Sequence, residues 1–75
     1  MIPSKIYIGL IIKEELRRQN KNNRWLAEQL SVNIRTVNKI FLKEIIDTEQ
    51  LFQISYILKV DLFEHYSKEL RKLRK

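Results

Sequence analysis

Apolar residues recur along most of this chain at three- and four-residue steps, the spacing that gathers them on one face of an α-helix. Ile8, Ile12 and Leu16 fall at four-residue intervals and Ile11 widens the stripe, so a first helix is expected over residues 4–19. Asn20 and the Asn22-Asn23 pair interrupt the pattern; asparagine tolerates the left-handed backbone that ends one helix and also caps the next. A second helix should start at Asn22 or Asn23 and end near Leu30, with Leu26, Ala27 and Leu30 inward. Ser31, Val32 and Asn33 make a short break. Asn33 is suited to cap a third helix over residues 34–43, whose inner face is Val37, Ile40 and Phe41.

The clearest start signal belongs to the fourth helix. Asp47 stands three residues before Gln50, a capping-box spacing, and Ile46 is placed to staple onto Leu51. Leu51, Ile54, Ser55 and Leu58 then form its buried stripe. Asp61 and Glu64 repeat that spacing, so a fifth helix is expected from Leu62, carrying Leu62, Tyr66, Leu70 and Leu73 on one face. The only proline is Pro3, so nothing after it forbids helix. The single glycine, Gly9, costs a helix about 1 kcal/mol against alanine, and it permits close approach of another backbone. The chain reads as an all-α bundle of five short helices.

Composition narrows the function. With 75 residues and an apolar fraction of 44%, one small folded domain is expected. No cysteine is present, which excludes a disulfide, a thiolate metal site and a cysteine nucleophile. One histidine, His65, and one glycine leave little from which to build a hydrolase triad or a phosphate-cradling loop, so neither an enzyme nor a metal or cofactor site is expected. The longest uncharged apolar run, residues 6–12, is too short to span a bilayer, and charged residues follow it directly. The expectation is a cytoplasmic protein with no membrane association.

The net charge of +6 suggests an acidic partner, and its distribution says more. Residues 21–43 carry Lys21, Arg24, Arg35, Lys39 and Lys43 against Glu28, a net +4. Residues 44–66 carry Lys59 against Glu44, Asp47, Glu49, Asp61 and Glu64, a net −4. From Ser67 onward the balance returns to +4. Solvated helix faces would account for such a pattern as well as a binding surface would.

Two helices joined by a three-residue turn, in a basic all-helical chain, are more specific. The stretch Asn23-Arg24-Trp25-Leu26-Ala27-Glu28-Gln29-Leu30-Ser31-Val32-Asn33-Ile34-Arg35-Thr36-Val37-Asn38-Lys39-Ile40 resembles the Cro and lambda-repressor-like (Xre-type) helix-turn-helix regulators, and the likeness extends over about residues 8–63. Leu26 and Ala27 match the apolar residue and alanine of the first motif helix, Ser31 and Val32 the turn, and Val37 and Ile40 the branched pair of the second. Ala27 is small where two helices must cross closely; Val37 and Ile40 lie one turn apart and fill the angle between them.

The resemblance implies sequence-specific binding of double-stranded DNA by a small transcriptional regulator, with the second motif helix in the major groove. Carried over residue by residue, it makes Asn33, Ile34, Arg35, Thr36, Asn38 and Lys39 the exposed reading face. Arg35 would donate twice to a guanine, Asn38 would pair with an adenine, and Thr36 and Lys39 suit phosphate or base contacts. Asn23 and Arg24 would hold a phosphate oxygen, and Lys43 adds a further phosphate contact. Residues 1–66 would form the DNA-binding domain and residues 67–75 a basic C-terminal helix or tail.

Three positions depart from the family pattern. Ser31 stands where glycine is usual, so a left-handed serine is expected there. Ile34 occupies a position often held by a polar base-contacting residue. Leu16 and Phe41 replace a buried arginine–glutamate pair, and an apolar contact is expected instead. Trp25 is expected to pack against a neighbouring helix. The last helix has two readings: Leu62, Tyr66, Leu70 and Leu73 either pack on the domain's own core or form the seam of a homodimer. The rival function is a protein-interaction module, an antitoxin or adaptor on the same fold, in which the acidic stretch and the last helix would carry binding.

Overall fold

The computed structural model describes residues 6–74. Five α-helices and no strand occupy them: α1 (Ile8–Arg18), α2 (Asn23–Leu30), α3 (Ile34–Phe41), α4 (Thr48–Leu58) and α5 (Glu64–Leu73). No helix among the described residues is long and apolar enough to cross a membrane. α3 packs against α1 and α2, and α2 packs against α4. One cluster forms the core: Ile8, Ile12 and Leu16 from α1, Leu26 and Ala27 from α2, Val37, Ile40 and Phe41 from α3, Leu51, Ile54 and Leu58 from α4, and Leu62. The three- and four-residue periodicity therefore identifies the buried stripe of each of the first four helices. Leu16 and Phe41 both lie in this cluster, where an ion pair would have had to be desolvated.

Side-chain caps open three helices. Asn22 Oδ1 accepts from the Trp25 amide at 2.8 Å, Asn33 Oδ1 from the Arg35 amide at 2.8 Å, and Asp47 Oδ1 from the Gln50 amide at 2.7 Å. Each satisfies a helix-end donor that would otherwise lack a partner.

α1 begins differently. The expected start at Ser4 lies outside the described residues, but Ile6 and Tyr7 are already non-helical, and the helix opens at Ile8 without a side-chain cap. Its first amides bond across the molecule instead: Ile8 to the Glu44 carbonyl at 3.1 Å and Gly9 to the Lys43 carbonyl at 2.9 Å. The Tyr7 hydroxyl donates to the Leu42 carbonyl at 2.8 Å. α3 stops at Phe41 and not at Lys43 as expected: the Leu42 and Lys43 amides reach back only three residues, to the Lys39 and Ile40 carbonyls. The carbonyls of residues 42–44 turn away from their own helix to receive α1. Gly9 is what lets the two backbones meet. A Cβ there would lie 2.4 Å from the Ile40 carbonyl oxygen, 2.5 Å from that of Phe41 and 2.7 Å from that of Lys43.

Three helices end in left-handed residues, none of them glycine: Asn20 (φ 59°), Ser31 (φ 57°) and Lys59 (φ 58°). Each closes with the same pair of bonds, as at Ser31, whose amide reaches the Glu28 carbonyl while that of Val32 reaches Ala27. The left-handed conformation inferred for Ser31 is present. Ser31→Gly is therefore expected to raise stability by about 0.5–1 kcal/mol, because glycine meets no Cβ penalty at positive φ. Thermal melting checks this; an unchanged or lower Tm would contradict it.

At the C-terminal end of α1, Glu15 accepts from Arg18 and from Gln19 Nε2, and the same Gln19 amide reaches the Leu58 carbonyl at 2.9 Å. The Arg18 hydrogen bond holds the Glu15 carboxyl below its ordinary range. α1 is thus fastened to the end of α4 as well as to the end of α3.

α5 departs most from expectation. It begins at Glu64, not Leu62, because Asp61 Oδ1 accepts from the Phe63 amide at 3.1 Å and holds Leu62 and Phe63 in a turn. Glu64 pairs with Lys68 one turn on and does not reach back to a cap. The stripe expected on this helix splits. Leu62 is 2% exposed and belongs to the core, so it cannot lie in a seam with a partner. Tyr66 packs against that core, whereas Leu70 and Leu73 are 58% and 45% exposed. α5 crosses residues 66–67 without a break, so the basic extension is helical as far as Leu73.

Candidate nucleic-acid interface

α3 has one buried side and one open side. Val37, Ile40 and Phe41 anchor it, while Ile34, Arg35, Asn38 and Lys39 are exposed. Thr36, expected on the open face, is half-buried, so only part of its side chain is accessible. Asn33 is exposed, but one lone pair of its Oδ1 is engaged in capping, which leaves its two amide hydrogens and a second lone pair for a ligand. Ile34, 40% exposed, presents an apolar group at the head of the helix beside Val32, which is 39% exposed.

The start of α2 joins this surface. Asn23 Nδ2 donates to Asn38 Oδ1 at 2.8 Å, tying the first residue of α2 to the middle of α3. One lone pair of Asn38 Oδ1 is thereby taken, leaving its two amide hydrogens and a second lone pair. Asn38 remains able to accept from an adenine N6 and donate to N7, with its orientation already fixed by Asn23. The Asn22 cap occupies the Trp25 amide, which leaves those of Asn23 and Arg24 without an acceptor among the described residues. Arg24 is exposed beside them. Lys43 is exposed in the loop after α3, and its backbone is pinned by the bond from Gly9.

The charges on this surface are not neutralised from within. The ion pairs among the described residues are Arg18–Glu15 and Lys68–Glu64, and neither involves Arg24, Arg35, Lys39 or Lys43. The acidic stretch is partly consumed by folding. Asp47 caps α4, Asp61 holds the turn before α5, and Glu64 pairs with Lys68.

Trp25 is half-buried against the core, with the Lys21 ammonium 4.8 Å from its ring centre. His65 is exposed, and among the described residues no group of three His, Cys, Asp or Glu side chains is placed to hold a metal ion.

Sequence reasoning missed two surfaces. The first is a recess at the junction of α1 and α2 to which Lys13 and Arg17 contribute. The helical period places those two residues one turn apart, but which face of α1 stays open depends on tertiary packing. The second is an open apolar groove of about 620 Å³ between Gln29 of α2, Phe52, Tyr56 and Ile57 of α4, and Val60 and Phe63 beyond it. Phe52 and Tyr56 lie outside the stripe at Leu51, Ile54, Ser55 and Leu58, which is the only signal the sequence holds for this groove. No family model, curated protein or solved structure matches the chain.

Proposed function

We propose that the chain is a small sequence-specific regulator that binds double-stranded DNA, with α2 and α3 as a lambda-repressor-like helix-turn-helix and α3 in the major groove. The observation that carries this reading is the open face of α3. Arg35, Asn38 and Lys39 stand exposed on a helix whose opposite side is fully anchored, and among the described residues no carboxylate pairs with the cations around them. Arg35 supplies two donors for a guanine edge, Asn38 a donor and an acceptor for adenine, and Ile34 an apolar group for a thymine methyl. Asn23, Arg24 and Lys43 hold backbone phosphates and set the register of the helix in the groove. Asn33 contributes by fixing the start of α3, and Thr36 by a contact from its exposed part. Binding of this kind needs no catalysis and no cofactor.

A homodimer accompanies the reading, since two copies of α3 would then meet half-sites one helical turn apart. With Leu62 in the core, the seam on α5 reduces to Leu70 and Leu73 with the outer edge of Tyr66. The second reading, a protein-interaction module, is favoured by the groove at Phe52 and Tyr56, where Tyr56 is 78% exposed.

Selection from a random double-stranded DNA pool at about 150 mM salt, where nonspecific binding is weak, separates the two. The expected result is an enriched palindrome, whose half-site spacing gives the dimer geometry. A folded protein that enriches no sequence would overturn DNA recognition and favour the interaction module.

A further inference from the structure

At the junction of α1 and α2 the surface forms a recess of about 330 Å³, lined by Lys13, Arg17, Asn20, Lys21, Asn22 and Asn23, with Leu16 behind them. Every ionisable group in the lining is a cation. Lys13 and Arg17 stand one turn apart on α1, a like-charge spacing that disfavours a helix. Lys21 is drawn to the same place by the chain reversal at left-handed Asn20, and its ammonium is positioned over the Trp25 ring. Neither ion pair among the described residues reaches any of the three. The three asparagines add amide donors, while Asn22 Oδ1, a possible source of repulsion for an anion, is turned to the Trp25 amide.

We infer that this recess seats a phosphate group of the nucleic-acid backbone, extending the interface from α2 and α3 onto α1. The inference rests on the DNA-binding reading above. Asn23 makes the connection: it lines the recess and also donates to Asn38 on the open face of α3. An anion in the recess and a base beneath α3 therefore touch one continuous polar surface. A ligand with anionic groups spaced along a polymer occupies both places at once, which a lone anion does not.

The test is the salt dependence of duplex binding by the full chain, followed by fluorescence anisotropy. The triple variant Lys13→Gln, Arg17→Gln, Lys21→Gln should bind about tenfold more weakly, by the same factor on preferred and unrelated duplexes. Its plot of log affinity against log salt should be shallower by about 0.9, the loss of one phosphate contact. Lys59→Gln, which removes a charge outside the recess, should leave the slope unchanged. A triple variant that binds with the original affinity and slope would overturn the recess while leaving DNA binding by α3 intact. An unsubstituted chain that binds no duplex, or that binds an acidic peptide through these cations instead, would overturn both. Circular dichroism establishes that the triple variant is folded; if it is not, Lys13→Gln and Arg17→Gln singly should each flatten the slope in part, and no flattening in either would count against the recess.

Discussion

Replacing Gly9 with alanine is expected to cost about 3 kcal/mol or more, a large share of the stability of a domain this small. Helix propensity alone points the other way, because alanine exceeds glycine by about 1 kcal/mol inside a helix. The deciding fact is what the new Cβ would meet. Three carbonyl oxygens, of Ile40, Phe41 and Lys43, lie within 2.7 Å of its position. They are backbone atoms, not the ends of flexible side chains. Two are already engaged, Ile40 by the Lys43 amide and Lys43 by the Gly9 amide itself, so making room breaks hydrogen bonds as well as packing. For a domain of this size each kcal/mol moves Tm by about 4–8 °C, so a fall of roughly 12 °C or more is expected. Leu10→Ala, at an exposed neighbouring position, should change Tm little. A Gly9→Ala protein that melts at or above the original temperature would mean that α1 does not seat on the end of α3 in this way.

On the proposed DNA-binding reading, Arg35→Ala should have the largest effect on affinity of any single substitution on α3. A bidentate contact to guanine contributes about 1–3 kcal/mol of discrimination, which corresponds to a loss of roughly five- to 150-fold on the best sequence. Preference at one base pair should relax at the same time. Stability should stay within about 0.5 kcal/mol, since Arg35 is exposed and its side chain has no partner among the described residues. Binding assays on the selected sequence and on its single-base variants, beside a thermal melt, separate the cases. Equal weakening on every sequence would make Arg35 a phosphate contact. A lowered Tm would make it a structural residue.

The parts of this fold that the sequence announces are those settled within a few residues. Asn22, Asn33 and Asp47 cap amides two or three positions ahead, and their helices begin where the caps predict. The buried stripes of α1 to α4 follow from the helical period. The start of α1 is settled at long range, by carbonyls at residues 43 and 44, and no local pattern encodes that. Asp61 fails as a start signal for a different reason. Its spacing to Glu64 matches a capping box, but its side chain closes a tighter turn two residues ahead, and both outcomes use the same residue types. Periodicity also places Leu62, Leu70 and Leu73 on one stripe without indicating that the core ends between them.

For the candidate interface, the open side of α3 follows directly from its apolar positions. The link between Asn23 and Asn38 does not, because it joins residues fifteen apart whose approach depends on how α2 and α3 cross.

Orientation and reading are separable in α3. Its placement is fixed by Val37, Ile40 and Phe41, by the Asn33 cap, and by the seating of α1 on the carbonyls that follow it. Ile34, Arg35 and Lys39 bear none of that burden. The helix thus behaves as a type slug locked in its holder, whose raised characters can be recut without loosening the grip. On the proposed DNA-binding reading, lineages of such a chain can drift towards new target sequences through these three positions at little cost to folding. Laboratory libraries randomised there should yield mostly folded proteins.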